Sequence, residues 1–289
     1  IEMTTGPLGQ GIATATGFAL AERILNARYG DDRVNHFTYV IASDGDLMEG
    51  ISHESCALAG HLGLERLIVL YDDNGITIDG STSLSYTEDV TKRFESYGWD
   101  VQSIDGHDPA QIERAISAAQ KTKTPSLIRC KTHIGFGAPT KQDSASSHGS
   151  PLGAEEIKGA RANLGWAHEA FVIPSDILNA WRSMGTRSQA ERTTWQKRLD
   201  SSPKKKEFLA ALEGNVAQQS APLFAALKKK FAEEKPKLAT RQTSGLVLDQ
   251  LAPALPALIG GSADLTGSVN TKVKNLGVIS KDKYDGQYI

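Results

Sequence analysis

The sequence has little of what marks nucleic-acid-binding, disulfide-rich or membrane proteins. Its 32 Lys and Arg residues are balanced by 34 Asp and Glu residues, and the net charge of −2 offers neither a basic field for nucleic acid nor an acidic tail. The two cysteines, Cys56 and Cys130, lack metal-ligand spacing, which favours reduced, buried thiols in an intracellular protein. The apolar run Leu251–Ile259 is interrupted by prolines and is shorter than the roughly 18 residues of a membrane span. We therefore predict a cytoplasmic protein that binds neither nucleic acid nor membrane.

The chain also lacks recognisable ends. It begins at Ile1, inside a glycine-rich motif and without an initiator methionine, so a targeting peptide cannot be assessed. At the other end, an α/β pattern that starts near Lys237 stops at Ile289 after one or two elements. We expect the sequence to be an internal piece of a longer protein.

Strands and helices alternate over the first half of the chain. The predicted strands are 36–42, 67–71, 99–104 and 126–130, and the predicted helices are 12–29, 51–62, 88–97 and 109–121. One of these strands, LIVLY, is an uninterrupted apolar run, as found in parallel sheets that are covered on both faces. The alternation predicts an α/β fold with a doubly wound, mostly parallel sheet.

The pattern changes beyond about residue 151. The stretch 154–240 is polar and mostly helical, and we interpret its lysine clusters at 204–206 and 228–230 as solvated helix faces. A helix over 240–251 and a strand at Ala257–Gly260 then begin another α/β pattern. We predict an α/β domain over 1–185, a helical linker over 186–238 and the start of a second α/β domain over 239–289.

An aspartate and an asparagine follow two of the predicted strands. Asp44, with Gly45 after it, follows the first strand, and Asn74 follows the next strand 30 positions later. Because the carboxyl ends of adjacent parallel strands lie side by side, we expect an aspartate oxygen, an asparagine oxygen and a backbone carbonyl to converge there. Mg²⁺ prefers such oxygen ligands, with phosphate and water in its other positions. The alternative is two unrelated turns, of which the Asp-Gly pair caps a helix.

A glycine-rich segment, TTGPLGQG, precedes the first predicted helix. Its glycines allow the backbone to approach a flat ring or a phosphate closely. The segment has neither a preceding strand nor the G-x-G-x-x-G spacing, which disfavours a nicotinamide-dependent dehydrogenase.

Seven sequence blocks together resemble transketolases. They are TTGPLGQGIA, SDGDLMEGISHE, ALAGHLGL, YDDNGITIDG, SSHGSPLG, ATRQTSG and GGSADLTGS, in the order and near the spacing seen in that family. The resemblance covers essentially the whole chain, although 160–240 matches in length rather than in motif. It includes the Asp-Gly…Asn arrangement of thiamine diphosphate enzymes. Ser43 stands where a glycine usually precedes the aspartate, and we expect this small residue to be tolerated.

The resemblance implies a thiamine diphosphate-binding fold, with the diphosphate-binding domain in 1–185 and the start of the pyrimidine-binding domain in 239–289. The implied cofactors are thiamine diphosphate and Mg²⁺, with Ca²⁺ or Mn²⁺ as substitutes. The implied activity is transfer of a two-carbon ketol unit from a ketose phosphate to an aldose phosphate, in the pentose phosphate pathway or the Calvin cycle. The resemblance also implies a homodimer with shared active sites. The family's catalytic glutamate lies beyond Ile289, so we expect this stretch alone to be inactive.

The same resemblance assigns roles to the matching positions. The implied metal ligands are Asp44, Asn74 and the backbone carbonyl of Ile76. The implied cofactor contacts are Gly6, Pro7, Leu8, Gly45, Asn74, Ile78, Ile134, His148 and Asp264. His148, Arg241 and Ser268 are implied to bind the sugar phosphate, and His148 is also the candidate catalytic group. Glu49 and Glu54 are implied to link the two active sites across the dimer interface.

Most of these residues also have an ordinary structural interpretation. Without the family context, His148 would be a surface histidine, Arg241 a helix-start residue and Ser268 a loop or N-cap serine. Glu49 and Glu54 lie around a helix start, where carboxylates interact favourably with the helix dipole. Four histidines match no family role and are interpreted as structural: His53, His61, His107 and His133.

Other functions stay open at this point. Dihydroxyacetone synthase resembles the same blocks and transfers the ketol unit to formaldehyde. A catalytically incomplete cofactor-binding fragment is a further alternative. Deoxyxylulose phosphate synthase and the first component of pyruvate dehydrogenase share the Asp-Gly…Asn arrangement, but GGSADLTGS and SSHGSPLG disfavour them.

Overall fold

A computed structural model describes residues 1–214 and 216–289. The chain divides into two compact units. Unit 1 comprises residues 1–22 and 36–191, and unit 2 comprises residues 23–35 and 192–289. Within the described ranges, no helix is long and apolar enough to cross a membrane. The domain boundaries drawn from the sequence at 185 and 238 stay predictions.

Unit 1 is built on a four-stranded parallel sheet with the order β1-β2-β6-β5. Its strands are β1 (Thr38–Ser43), β2 (Leu67–Asp73), β5 (Asp100–Asp105) and β6 (Ser126–Lys131). Two short strands, β3 (Ile76–Thr77) and β4 (Gly80–Ser81), form an antiparallel hairpin after β2. The predicted α/β class and parallel sheet are confirmed.

The core of unit 1 lies on both faces of this sheet. Leu67, Ile68 and Val69 follow one another in β2 and are all 0% exposed, although successive strand residues point to opposite faces. Both faces of β2 are therefore covered, which is why its sequence is apolar without alternation. On one face, Ala115 and Ala119 of a helix join Ile68 in a buried cluster.

Helices connect the strands, as the sequence predicts. Between the strands lie α2 (Asp44–Met48), α3 (Gly50–Leu62), α4 (Val90–Ser96) and α5 (Pro109–Ala119), whereas α1 (Gln10–Tyr29) precedes β1, and α6 (Ala154–Asn163) and α7 (Ser175–Thr186) follow β6. The short helix α2 is an addition, because no helix was predicted between the strand 36–42 and the helix 51–62. Asp46 Oδ2 accepts hydrogen bonds from Ser43 N and Ser43 Oγ, which form one half of a capping box and favour a helical turn directly after β1.

Unit 2 is mainly helical. Its helices are α9 (Lys205–Glu213), α10 (Val216–Glu234), α11 (Thr240–Ala254), α12 (Thr266–Val269) and, from residue 192 onward, α8 (Gln189–Asp200). Tyr29, Val34, Leu199 and Phe208 form a buried cluster within it. The helical character predicted for 154–240 is confirmed.

The predicted strand Ala257–Gly260 is wrong. After Pro256 the chain makes a turn, with a hydrogen bond from Leu258 N to Leu255 O at 2.9 Å. Only Gly260 pairs, in a single bridge to Tyr288. A short apolar run becomes a strand only where a neighbouring strand accepts its backbone groups, and here one residue finds such a partner.

Candidate diphosphate and metal site

The carboxyl ends of β1, β2 and β6 lie side by side. In the register of the sheet, Ser43 pairs with Asp72, and Asp72 pairs with Cys130. The polar residues that follow these strands therefore meet at one edge of the sheet, where open α/β sheets bind their ligands. Asp44 and Asn74, which were predicted from strand ends alone, both lie at this edge.

Asp44 is a buried carboxylate, 3% exposed, at the start of α2. Its Oδ1 accepts a hydrogen bond from the hydroxyl of Tyr71, and its Oδ2 accepts one from Gly75 N at 3.1 Å. The second bond ties the turn after β2 to the start of α2. The structure thus brings Asp44 together with the Asn74–Ile76 turn.

The charge of Asp44 has no cationic partner among the ion pairs of the described residues. Burial raises the pKa of Asp44, and the nearby carboxylates of Asp73 and Asp72 raise it further, against the hydrogen bonds from Tyr71 and Gly75. Asp73, in contrast, is paired with Arg129 at 2.6 Å. A bound cation would stabilise the ionised form of Asp44, so this carboxylate fits a metal ligand.

The turn after β2 presents further oxygen ligands. Asn74 Oδ1 accepts a hydrogen bond from Ile76 N at 2.9 Å, and Asn74 Nδ2 donates to Asp72 Oδ2 at 3.2 Å. These bonds fix the amide so that its oxygen keeps one lone pair free. Gly75 adopts φ = +72°, a conformation that side chains disfavour, and so allows the chain to reverse tightly between Asn74 and Ile76.

Within the described part of the chain, no three His, Cys, Asp or Glu side chains are grouped to hold a metal ion. The candidate ligand set instead has one carboxylate, one amide oxygen and one backbone carbonyl, from Asp44, Asn74 and Ile76. Such a set leaves coordination positions for phosphate and water, which is the usual way that Mg²⁺ is held beside a phosphorylated ligand.

The glycine-rich loop lies against the same helix turn. A Cβ at Gly45 would lie 3.1 Å from Cδ1 of Leu8, so the structure brings these two predicted cofactor contacts together. Gly9 has φ = +76°, and a Cβ there would lie 2.7 Å from Ile51 Cγ2. Gly6 and Pro7 are exposed beside them. The loop therefore leaves its backbone accessible next to the start of α2.

Asp46 is a residue that the sequence reasoning missed. Its Oδ1 accepts from Gly9 N at 3.2 Å, and its Oδ2 accepts from Ser43 N and Ser43 Oγ, both at 2.9 Å. One carboxylate thus fastens the glycine-rich loop to the turn that carries Asp44. The S-x-x-D spacing of Ser43 and Asp46 was the available signal, since it resembles a capping box.

Tyr71 is a second missed residue. Its hydroxyl, the polar tip of an otherwise buried side chain, contacts both Asp44 and Asp73. Burial and the hydrogen bond to Asp44 raise the pKa of Tyr71, so its hydroxyl stays a proton donor to that carboxylate. In the sequence Tyr71 is indistinguishable from the other apolar residues of LIVLY.

The loop after β6 carries two predicted site residues. Ile134 is half-buried at its start, and His148 is exposed at its end, after a 3-10 turn (Ala145–Ser147). Ser147 Oγ donates to Lys141 O at 2.5 Å, which holds this end of the loop. Among the described residues, the structure gives the His148 ring no hydrogen bond to the Asp44 or Asn74 groups.

Three other predicted site residues of unit 1 are exposed. Ile78 is 71% exposed at the tip of the β3–β4 hairpin, and Glu49 and Glu54 are exposed around the first turns of α3. Glu49 is the N-cap of α3 but makes no capping bond with its side chain. These three side chains are therefore accessible to solvent in unit 1.

Comparisons with known proteins decide the family. Residues 1–222 match the family described as transketolase, thiamine diphosphate binding domain. The chain belongs to the transketolase family. The transketolase of Cereibacter sphaeroides is 52% identical over 291 residues, covering 100% of this chain and 44% of that protein. Among solved structures, transketolase from Campylobacter jejuni has a TM-score of 0.88 at 37% identity, and transketolase from Leishmania mexicana has 0.89 at 38%.

This chain spans less than half the length of the transketolases it matches, since it covers 44% of both solved chains as well. The resemblance to transketolases is confirmed, as is the assignment of a thiamine diphosphate-binding domain. The individual site residues stay predictions.

Three of the predicted site residues, Arg241, Asp264 and Ser268, lie in unit 2. Arg241 is exposed in the first turn of α11, and Ser268 is exposed in the short helix α12. Asp264 adopts φ = +62°, which is uncommon outside glycine, in the exposed loop before α12. A conformation of this kind is often kept where a residue has a specific role.

Proposed function

We propose that this chain supplies the diphosphate- and metal-binding part of a thiamine diphosphate-dependent ketol transferase. The observation that carries the proposal is the buried carboxylate of Asp44, which forms no ion pair with any described residue and is tied to the turn that contains Asn74. The family match over residues 1–222 supports thiamine diphosphate as the cofactor.

In this proposal Asp44, Asn74 and the carbonyl of Ile76 hold Mg²⁺, with Ca²⁺ or Mn²⁺ as substitutes. The metal would offset the charge of the diphosphate, and Gly45 would let the backbone approach that group. Asp46 holds the glycine-rich loop beside the turn that carries Asp44. Thiamine diphosphate supplies the electron sink for cleaving and forming the carbon–carbon bond of the sugar.

The remaining cofactor and substrate contacts follow the resemblance. Gly6, Pro7 and Leu8 flank the aminopyrimidine, while Ile78, Ile134 and Asp264 lie along the cofactor. His148, Arg241 and Ser268 bind the sugar phosphate, and His148 also serves as a proton-transfer or hydrogen-bonding group. The exposed guanidinium of Arg241 suits a phosphate, because its planar fork binds two oxygens at once.

We further propose a cytoplasmic homodimer with shared active sites, acting on ketose and aldose phosphates of the pentose phosphate pathway. The exposure of Glu49 and Glu54 supports a role at the dimer interface. Two free, buried cysteines, Cys56 and Cys130, are compatible with a reducing compartment.

The metal-binding part of the proposal is tested on the chain itself. Calorimetry would measure thiamine diphosphate binding with Mg²⁺ and with a chelator, for the wild type and for Asn74→Ala. We expect binding that depends on the metal and is lost in the variant. Asp79→Ala, at an exposed aspartate of the β3–β4 turn, is the control and should bind as the wild type does. Binding that persists in Asn74→Ala would contradict the assigned site.

The activity is tested in a chimera. Residues 1–289 would replace the matching stretch of the Cereibacter sphaeroides transketolase, which aligns over the whole of this chain. We expect ketol transfer from a ketose phosphate to ribose 5-phosphate, and much slower transfer to formaldehyde. Preference for formaldehyde would instead favour dihydroxyacetone synthase.

A further inference from the structure

The turn between β5 and α5 lies unusually close to the end of β6. A Cβ at Gly106 would lie 2.5 Å from Thr132 Cγ2 and 3.0 Å from Lys131 O, so only glycine fits there without a shift. Gly106 N donates to Lys131 O at 2.8 Å, which extends the β5–β6 ladder by one bond. This close approach brings the next residue, His107, beside the loop that follows β6.

The imidazole of His107 continues that ladder. In a parallel ladder, the residue that donates to Lys131 O would accept from His133 N through its own carbonyl. Here the chain turns into α5, and His133 N donates instead to Nε2 of His107, at 3.0 Å. The Nε2 atom is therefore the acceptor and takes the place of a backbone carbonyl.

Two further contacts fix the ring of His107. Its own backbone N donates to Asp105 Oδ1 at 2.9 Å, which sets the turn. Its ring stacks on Phe136 with centroids 3.9 Å apart and planes 18° apart. His107 thus holds the loop after β6 at two points, a backbone amide and an aromatic ring.

The held segment is the one that leads to predicted site residues. His133 Nδ1 lies 2.9 Å from both carboxylate oxygens of Asp143. Asp143, at φ = +57°, donates its backbone N to Ile134 O at 3.0 Å. These bonds close the loop on itself between Ile134 and the turn before His148.

We infer that His107 is a positioning residue for the loop that carries Ile134 and His148. Through His133 N and Phe136, it fixes the start of this loop so that Ile134 can face the cofactor and His148 the sugar phosphate. The inference rests on the proposed function of those two residues, but its structural part, the anchoring of the loop, does not.

The anchor is tested with two variants that each keep one contact. His107→Gln places an amide oxygen near the position of Nε2 and loses the stacked ring, whereas His107→Phe keeps an aromatic ring and loses the acceptor. We expect amide exchange at His133, measured by NMR, to rise about tenfold in His107→Phe, as the loss of one ordinary hydrogen bond predicts. In His107→Gln the exchange should stay near the wild-type rate.

The amide of Leu127, in the middle of β6, reports whether the unit is still folded, and His36→Phe, at an exposed histidine, is the control variant. Unchanged exchange at His133 in His107→Phe, with Leu127 still protected, would overturn the inference. Equal loss of protection in both variants would overturn it as well, since the acceptor would then have no particular role.

Calorimetry with Mg²⁺ and thiamine diphosphate adds the functional readout. We expect His107→Phe to lower the affinity roughly tenfold, as loss of a supporting contact behind a ligand-binding group does, and His107→Gln to restore it. Failure of the wild-type chain to bind would overturn the proposed function and with it the positioning role. Wild-type binding with equal affinity in His107→Phe would overturn the positioning role alone.

Discussion

Two loops follow neighbouring strands of the sheet, and they are held by opposite means. The turn after β2 is fixed by the buried carboxylate of Asp44, which is 3% exposed and pairs with no cation among the described residues. The loop after β6 is fixed by the exposed rings of His107 and Phe136 and by the hydrogen bond between His133 and Asp143. A buried, unpaired charge costs stability and therefore indicates a ligand, whereas exposed rings and bonds serve to hold a conformation.

The largest effect should come from removing the buried charge. Asp44→Ala removes the only carboxylate of the proposed ligand set, so we expect the affinity for Mg²⁺ with thiamine diphosphate to fall more than about 100-fold, beyond what the loss of a supporting contact costs. The melting temperature of the metal-free chain should change little, because the variant loses the hydrogen bonds of Asp44 but also removes a desolvated carboxylate. Calorimetry and thermal unfolding check both. An affinity within a few-fold of the wild type would remove the basis of the comparison.

Acidification should weaken metal binding at the turn after β2 gradually. Because burial raises the pKa of Asp44, protons compete with the metal at a higher pH than for an exposed aspartate, whose pKa is about 3.9. Metal affinity should be constant above the raised pKa and fall about tenfold per pH unit below it.

The stability of the metal-free chain should change with pH in the direction opposite to that of metal affinity. A carboxyl whose pKa is raised in the fold favours the protonated form, so the metal-free chain should lose stability as the pH rises through that pKa. Calorimetry and melting curves between pH 4 and pH 8, with and without Mg²⁺, measure the two trends. Asp44→Asn, which cannot ionise, is the reference for these melting curves. If the metal-free wild type became more stable than Asp44→Asn as the pH rises, ionised Asp44 would stabilise the fold and the expectation would be wrong.

A smaller effect should follow from crowding the other loop. Gly106→Ala forces a methyl group against Thr132 and Lys131 O, so we expect the free energy of unfolding to fall by about 1–3 kcal/mol. Denaturant unfolding measures this change. Gly98→Ala is a suitable control for added bulk, because a Cβ at Gly98 would meet no atom within 4 Å, although its φ of +83° adds strain of its own. If Gly106→Ala unfolded at the same denaturant concentration as the wild type, the neighbouring atoms would move aside without cost and the expectation would be wrong.

The smallest effect should come from Ser43→Gly. The variant restores the glycine that the resemblance leads one to expect, and it loses only the 2.9 Å bond from Ser43 Oγ to Asp46, while the backbone bond to that carboxylate remains. Glycine is itself an acceptable N-cap residue, so the free energy of unfolding should fall by less than about 1 kcal/mol and metal binding should be kept. Calorimetry showing a loss of metal binding would mean that the hydroxyl holds the site together.

Strands β2 and β6, in the middle of the sheet, could be predicted because most of their residues are buried on both faces. Leu67, Ile68 and Val69 have to be apolar wherever the surrounding helices lie. The strand at Ala257–Gly260 could not be predicted in this way, because a short apolar run gives no information on whether a partner strand is present. A turn at Pro256 ends the run after a single bridge.

The residues of the candidate site also fall into those that local sequence predicts and those that it does not. Asp44 and Asn74 were predicted because polar residues directly after two apolar strands meet wherever those strands are adjacent and parallel. Tyr71, Asp46 and His107 were not, because each acts through a contact between segments that are distant in sequence. His107 was interpreted as structural, and nothing in its neighbours in sequence shows that it accepts a bond from His133, 26 positions away.

The sequence by itself determined the alternation of strands and helices, the family and the residues placed at the ends of β1 and β2. These properties follow from local patterns of burial and from short motifs, which each segment carries independently of the others. The tertiary structure alone decided that Asp44 is buried away from every cationic side chain that the structure describes and that Asp46 holds the glycine-rich loop. It also decided that an imidazole completes the ladder beside β6. Desolvation and hydrogen bonding depend on which atoms surround a group, and those atoms come together only when the chain folds.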